Sequence, residues 1–505
     1  MVGDGTAGRW SAGSGETCPG RDGVHAGDPP KNRRAGVRAS IVAKKPGNTG
    51  GAKGRRKVEG VTEGCAQQSP PAVTARSTQG GEIRARWAWV EESVWTERML
   101  TALETAVKGG VWFSLIDKVF GPRNLRASFA KVKANDGAAG ADRQTVAMFE
   151  RGLEANLEKL GNELRAGTYR PQGVKRVWIP KPGRHEKRPL GIPTVRDRVA
   201  QTALRNVLEP IFERDFAAQS YGFRPGRGCK DALRRVDHLL MQGSTWIVDA
   251  DLKSYFDTIP HRRLLARVRE KVADGRVLAM IEAFLNQKVM DGLEEWTPEA
   301  GSPQGAVVSP LLSNIYLDPL DQHMARTGRE MVRYADDFVM LFRTREEAEA
   351  ALQELRVWTR EAGLTLHPEK TRIVDAAQPG GFDFLGYHFE RGKKWPSEKG
   401  VKKLRDTLRP LTKRTNGHSL KTIVTKVNPK LRGWFAYFKH GARYGLVAVD
   451  KWLRRRLRSL LRKRKKRRGI SRGRENVEWP NRFFAELGLF TLATAHATAS
   501  QSSRR

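Results

Sequence analysis

Met331-Val332-Arg333-Tyr334-Ala335-Asp336-Asp337-Phe338-Val339-Met340-Leu341-Phe342 sets two adjacent carboxylates between two apolar, β-forming runs. Such a pattern predicts an antiparallel hairpin with acids at its tip. Carboxylates held on a turn are ligands of the kind hard divalent cations such as Mg²⁺ take, and the chemistry suggested is metal-assisted phosphoryl transfer. A two-ion site needs a further acid. Thr245-Trp246-Ile247-Val248-Asp249-Ala250-Asp251 supplies one at the end of a strand-like run. Asp249 and Asp251 share a strand face, so spacing does not choose between them. Taken alone, Asp336-Asp337 also fits a solvated hairpin tip; the surrounding segments decide.

Lys and Arg number 92 against 55 Asp and Glu, a net charge of +37 and a pI near 10.5. That excess points to a polyanionic partner, nucleic acid first. It does not separate an enzyme from a coating protein, because phosphate contacts supply affinity without catalysis. Cys18, Cys65 and Cys229 are too few and too scattered for a disulfide framework or a zinc site, so no disulfide partner and a reducing, cytoplasmic setting are expected. The chain opens without a charged-then-apolar leader, and the late apolar stretch 483–495 is short and interrupted by Glu486. No membrane association is expected.

At 505 residues the chain has room for about three domains. Residues 1–85 are rich in Gly, Pro, Ser, Arg and Lys and read as a disordered basic arm. Over 95–120, Met99, Leu100, Leu103, Val107, Trp112 and Leu115 recur at three- and four-residue steps and predict a helix. Strand 174–179, a turn and helix 195–216 follow. Strands 247–251 and 331–342 are separated by helical 262–287 and 309–324, and helix 346–361 closes an α+β block. The stretch 451–468 carries twelve Lys or Arg and no acid, with Leu453, Leu457, Leu460 and Leu461 as a narrow apolar stripe. It reads as a helix with one packed side and a cationic remainder for nucleic acid; Arg454, Arg458, Arg462 and Lys465 are its candidate RNA contacts.

Several blocks occur in a fixed order: Ile179-Pro180-Lys181-Pro182, Arg188-Pro189-Leu190-Gly191-Ile192-Pro193, Tyr221-Gly222-Phe223-Arg224-Pro225-Gly226, Asp251 to Asp257, Gly301-Ser302-Pro303-Gln304-Gly305, Tyr334-Ala335-Asp336-Asp337, Leu366-His367-Pro368-Glu369-Lys370-Thr371 and Phe384-Leu385-Gly386. This order resembles the group II intron-encoded reverse transcriptase/maturases, from about residue 95 to 492. Asn428-Pro429-Lys430-Leu431-Arg432-Gly433-Trp434-Phe435-Ala436-Tyr437-Phe438 resembles the maturase (X) signature, Trp479-Pro480-Asn481-Arg482-Phe483-Phe484 its C-terminal ending, and residues 135–142 the N-terminal extension of these enzymes.

The resemblance implies a right-hand polymerase fold: fingers and palm with an antiparallel sheet over 86–395, an α-helical thumb/maturase (X) domain over 396–475, and a C-terminal segment, 476–505, as a candidate DNA-binding tail. It selects Asp251 as the strand acid that bridges two Mg²⁺ ions with Asp336. Asp337, counted onto the opposite strand face, is the weaker ligand. Phe256 would close over the sugar and exclude a ribose 2′-OH, or else pack in the palm. Lys181 and Arg188 would meet the triphosphate of the incoming dNTP, or template phosphate. Gln304 would bond near the nucleotide sugar, and Gly301 and Gly305 would admit template or dNTP. Lys370 would protonate pyrophosphate or pair with a neighbour such as Glu369. Trp434, Tyr437 and Phe438 read as thumb core rather than a base-stacking platform.

The implied activity is an RNA-directed DNA polymerase that also binds its group II intron RNA, promoting splicing and mobility, with template RNA and primer DNA as further partners. It would act in the bacterial cytoplasm, and at the nucleoid when engaged on DNA. The alternatives are a catalytically inactive splicing maturase, against which Asp251, Asp336 and Gln304 argue, and a retron or diversity-generating reverse transcriptase, against which 428–438 argues. With no cysteine beyond Cys229 and only His496 near the end, the Cys/His-rich endonuclease of many relatives is not expected.

Overall fold

The β-forming runs of the sequence become eleven strands among the described residues: β1 (Val174–Pro180), β2 (Lys187–Ile192), β3 (Trp246–Asp251), β4 (Val289–Asp291), β5 (Glu294–Trp296), β6 (Glu330–Tyr334), β7 (Asp337–Phe342), β8 (Arg372–Asp375), β9 (Phe382–Phe384), β10 (Tyr387–Glu390) and β11 (Lys393–Pro396). The computed structural model describes residues 82–106, 110–180, 187–469 and 473–502, all within one unit, 67–505. Residues 1–81 and Lys181 lie outside the described residues.

The central sheet has the order β6-β7-β3-β8 and is antiparallel throughout. Period-two alternation sorts its side chains. Val248, Ala250, Phe338 and Met340 enter the main core, while Ile247, Val332, Val339 and Leu341 enter a second core with Phe382, Phe384, Tyr387 and Phe389 of the β9–β10–β11 sheet. Burial on both faces explains why these strands are apolar at successive positions. The helix Val195–Glu213, buried along most of its length, and the helix Ser309–Arg326 form the centre of the main core. A separate sheet, β2-β1-β4-β5, carries the 187–192 strand.

Three expectations change. Residues 82–85, assigned to the disordered arm, are helical, and Arg84 donates to the Trp95 carbonyl at 3.1 Å. Residues 95–120 form two helices, Glu97–Glu104 and Ile116–Val119, not one. Gly109-Gly110 interrupts the periodic run, and Gly is costly inside a helix; Val107 lies outside the described residues. Finally, the described part of the C-terminal segment, 476–502, is packed onto the helices before it over 479–492. Trp479, Phe484, Leu489 and Leu492 are buried with Leu404, Leu431, Leu453 and Leu457 in the core of the C-terminal helices Glu398–Leu411, Leu420–Phe438 and Arg443–Arg464. The Asp450 carboxylate fastens it there, accepting from Leu492 N (3.1 Å) and Ala493 N (2.9 Å). Among the described residues no helix is long and apolar enough to cross a membrane.

Candidate active site

Tyr334 pairs with Asp337 across β6 and β7, so Ala335 and Asp336 alone make the turn. Ala335 adopts a left-handed φ of 62°, the sense a two-residue hairpin requires. A non-glycine residue there needs support, and a buried polar platform supplies it. Arg333, fully buried, donates to Ala335 O at 2.9 Å and to Asn314 Oδ1 at 3.1 Å, and its guanidinium forks onto the buried carboxylate of Asp321, with Nε to Oδ1 at 2.7 Å. Asn314 in turn donates to Gly222 O at 2.9 Å. Gly222 packs so closely on the turn that any side chain there would overlap the Ala335 nitrogen. Tyr221 N donates to Arg333 O (2.8 Å) and Arg333 N to Gln219 O (3.0 Å). The 221–226 block is therefore a brace for the acidic turn, with Arg224 buried on Glu213 and the carbonyls of Ala217 and Ser220. Asn314 and Asp321 were missed in the sequence. Their one trace in sequence is a spacing of seven, which puts both on one face of the helix Ser309–Arg326.

Asp337 stands directly opposite Asp251 in the β3–β7 register, on the same sheet face. This corrects the expectation of opposite faces. That count ran from Asp336, which lies in the turn and outside the pleat. Burial first, then repulsion from Asp249, Asp336 and Asp251, pushes the Asp337 carboxyl up to about 7, with Lys399 pulling the other way. Burial and Asp251 also raise Asp336, against the attraction of Arg188 and Lys370. Asp249 is raised by burial and is engaged by Arg372, Nε to Oδ2 at 3.3 Å. Lys370 pairs with Asp251 Oδ2 at 2.5 Å, not with Glu369. Its loop is tied to β3 by His367 N to Asp251 O (2.7 Å) and Lys253 N to Thr365 O (2.8 Å). Among the described residues, no three carboxylate, imidazole or thiol groups close tightly enough to enclose an ion.

Beside the acids, Arg188 is exposed on β2 opposite Ile179. Half-buried Phe256 sits edge-on to Tyr255, ring centroids 5.5 Å apart, and lines a cleft of about 610 Å³ with Arg176, Trp296 and Gln304. Gly301 and Gly305 are also closely approached by the chain itself. A side chain on Gly301 (φ 92°) would come within 2.8 Å of the Phe256 carbonyl, and one on Gly305 would overlap Gly191 O. Ser302 N to Phe256 O (2.6 Å) and Gly191 N to Gln304 O (2.6 Å) tie this loop to both neighbours.

The cationic helix is less open than its composition implied. Arg458 is buried, donating to Trp479 O and Asn481 Oδ1, each at 2.9 Å. Arg462 pairs with buried Glu475, and Lys465 with Glu478. These acids arrive from 473–486, outside the stretch whose charge was counted. Of the four expected RNA contacts, Arg454 alone lacks such a clasp and remains half-exposed. Tyr437 and Phe438 pack inwards, with Tyr437 Oη donating to Leu385 O at 2.7 Å.

Residues 179–389 match the reverse transcriptase (RNA-dependent DNA polymerase) family, and residues 401–479 the maturase-specific domain of group II introns. This chain belongs to the group II intron-encoded reverse transcriptase/maturases. It is 35% identical over 328 residues to Protein YkfC of Escherichia coli (strain K12), covering 57% of this chain and 84% of that protein. Identity to the group II intron-encoded protein LtrA of Lactococcus lactis subsp. cremoris is 39% over 169 residues, covering 34% of this chain and 28% of LtrA. A chain of the partial Cas6-RT-Cas1–Cas2 complex is 22% identical, covers 49% of this reverse transcriptase/maturase and 42% of its own length, and superposes with a TM-score of 0.33, too loosely to carry an argument. The mixed α and β architecture is that of a reverse transcriptase domain followed by a helical maturase domain.

Proposed function

We propose that this protein is an RNA-directed DNA polymerase that copies RNA from a DNA primer and also binds its group II intron RNA to promote splicing and mobility. The observation that carries the reading is that Asp251 and Asp337 stand opposite one another in the β3–β7 register with Asp336 on the adjoining turn, near Arg188 and the Phe256 cleft. The oxygen-only donor set fits hard divalent cations, and a cation would offset the burial and the neighbouring acids that raise the Asp337 carboxyl. Asp251, Asp336 and Asp337 would hold two Mg²⁺. Bound there, the ions would lower the pKa of the primer 3′-OH and neutralise charge on departing pyrophosphate.

The chain's own residues do the rest. Lys370 holds Asp251 in the absence of other cations and, once released, is placed to give a proton to pyrophosphate. Arg188, whose charge reaches Asp336, would meet the triphosphate of the incoming dNTP, and Lys181 would be a second phosphate contact. Phe256 forms the wall that a ribose 2′-OH would strike, and Gln304 faces the same cleft. A retron-type reading is disfavoured by the maturase match over 401–479, and an inactive maturase by the intact acids. Primer extension on an RNA template decides the matter. Asp336→Ala is expected to abolish cDNA synthesis while intron RNA binding persists; equal loss of both in a folded variant would overturn the separation.

A further inference from the structure

The cations of the helix Arg443–Arg464 and its immediate extension fall into two groups once the returning chain is in place. Near its C-terminal end Arg462 pairs with Glu475, while Lys465 and Arg467 close on Glu478, Arg467 at 2.7 Å. Arg458 is turned inwards over the Phe484 ring, 5.3 Å from its centroid. Earlier in the helix the pattern reverses. Lys451, Arg454 and Arg455 are spaced i, i+3 and i+4 and so share a face, and among the described residues none of them forms an ion pair with a carboxylate. The neighbouring acid, Asp450, is committed to Leu492 N and Ala493 N.

Opposite these three cations the returning segment presents Asn476, Pro480 and Asn481, not its acids, and the two walls enclose a cleft of about 780 Å³. Three features define what fits. Three cations against the single nearby carboxylate of Asp450, which Arg454 attracts, leave a net positive charge that calls for an anion. The volume exceeds that of a single phosphate. Among the described residues no aromatic side chain lines the cleft, so they offer no platform for base stacking. Arg458 also fixes the Asn481 amide through its oxygen, which leaves the two N–H donors of that amide uncommitted.

We propose that this cleft binds the sugar-phosphate backbone of RNA. Lys451, Arg454 and Arg455 take neighbouring phosphate oxygens, and the Asn481 amide donates to a ribose 2′-OH, the group that separates RNA from DNA. Arg458 is a positioning residue that orients that amide. The inference rests on the RNA-binding reading above and gives it a location, at the Lys451 to Arg458 part of the helix.

The test titrates a labelled RNA hairpin, and the DNA hairpin of the same sequence, into full-length protein over a salt series. Lys451→Gln/Arg454→Gln/Arg455→Gln is expected to lower the log-log salt slope for RNA by about 2, since each phosphate contact contributes roughly 0.7 to 0.9. Asn481→Ala is expected to keep the slope and reduce the preference for RNA over DNA. A slope equal to wild type in the triple variant overturns the cleft assignment, and an unchanged RNA preference in Asn481→Ala overturns the ribose contact. Equal slope losses for both hairpins would make the cleft a general nucleic-acid site and overturn its assignment to RNA. Should the triple variant fail to fold by circular dichroism, Lys451→Gln and Arg455→Gln singly are each expected to lower the slope by roughly 0.7 to 0.9, with no change overturning the proposal. Primer extension by the wild type reports the polymerase reading separately, so failure of one is not failure of the other.

Discussion

Replacing Asp337 with Asn should stabilise the protein while destroying polymerase activity. Raising a carboxyl from its ordinary value near 4 to about 7 corresponds to ~4 kcal/mol of unfavourable interaction when ionised, at 1.36 kcal/mol per pH unit. Water penetration and rearrangement of the neighbouring acids reduce this to about 1–3 kcal/mol. The sign follows from proton binding. Asp337 holds its proton more tightly folded than unfolded, so the folded chain carries the extra proton between about pH 4 and 7. Stability therefore falls as pH rises through that window and levels off above it. In EDTA, the advantage of Asp337→Asn should be near zero around pH 4 and grow to about 1–3 kcal/mol by pH 8, a shift of several degrees in the thermal midpoint. Asp249 and Asp336, whose carboxyls are also raised, titrate with it, so the pH slope belongs to the group. Added Mg²⁺ should raise the wild-type midpoint more than that of the variant. Equal midpoints at pH 8 in EDTA, or a less stable variant, would refute the picture of mutually repelling acids.

Phe256→Val should lower the preference for dNTPs over rNTPs in primer extension by removing the wall against a 2′-OH; an unchanged ratio would return Phe256 to a packing role. Arg333→Met should cost about 3–5 kcal/mol in urea melts, because Asp321 is left buried without its partner. Adding Asp321→Leu should recover most of that stability but not cDNA synthesis, since the hydrogen bond to Ala335 O is still missing. Deleting residues 1–81 should leave extension on a generic primed template within a few fold, as expected of a segment whose composition is too polar to fold alone.

The hairpin was legible because its information is local: two apolar β-forming runs, a turn and two acids lie within twelve residues. The order of the blocks likewise carried the family. What the sequence hid depends on contacts between distant segments. The Arg333–Asp321 pair spans only twelve positions but is invisible to periodicity, because a buried ion pair looks in sequence like two solvated charges. The side on which Asp337 stands required the register with β3. Charge counting did not show that Arg458 is buried or that Arg462 and Lys465 are paired, since their partners arrive from a segment that reads as a tail. Gly222 shows the same limit: a block can be spotted without showing that its glycine exists to make room for Ala335.

The helix Leu420–Phe438 bears directly on how this protein can be dissected. The family matches end at 389 and resume at 401, which invites a cut near 395 to obtain a free polymerase and a free maturase. Trp434, however, lies against both the C-terminal core and the core beneath the central sheet, Phe438 is buried in the latter, and Tyr387 Oη reaches Tyr437 O at 2.8 Å. A cut there would strip one wall from a shared hydrophobic chamber and leave each half with a sticky apolar face. The two halves are separable on paper as families but not in solution as fragments, and mutants of the whole chain are the sound way to separate their activities.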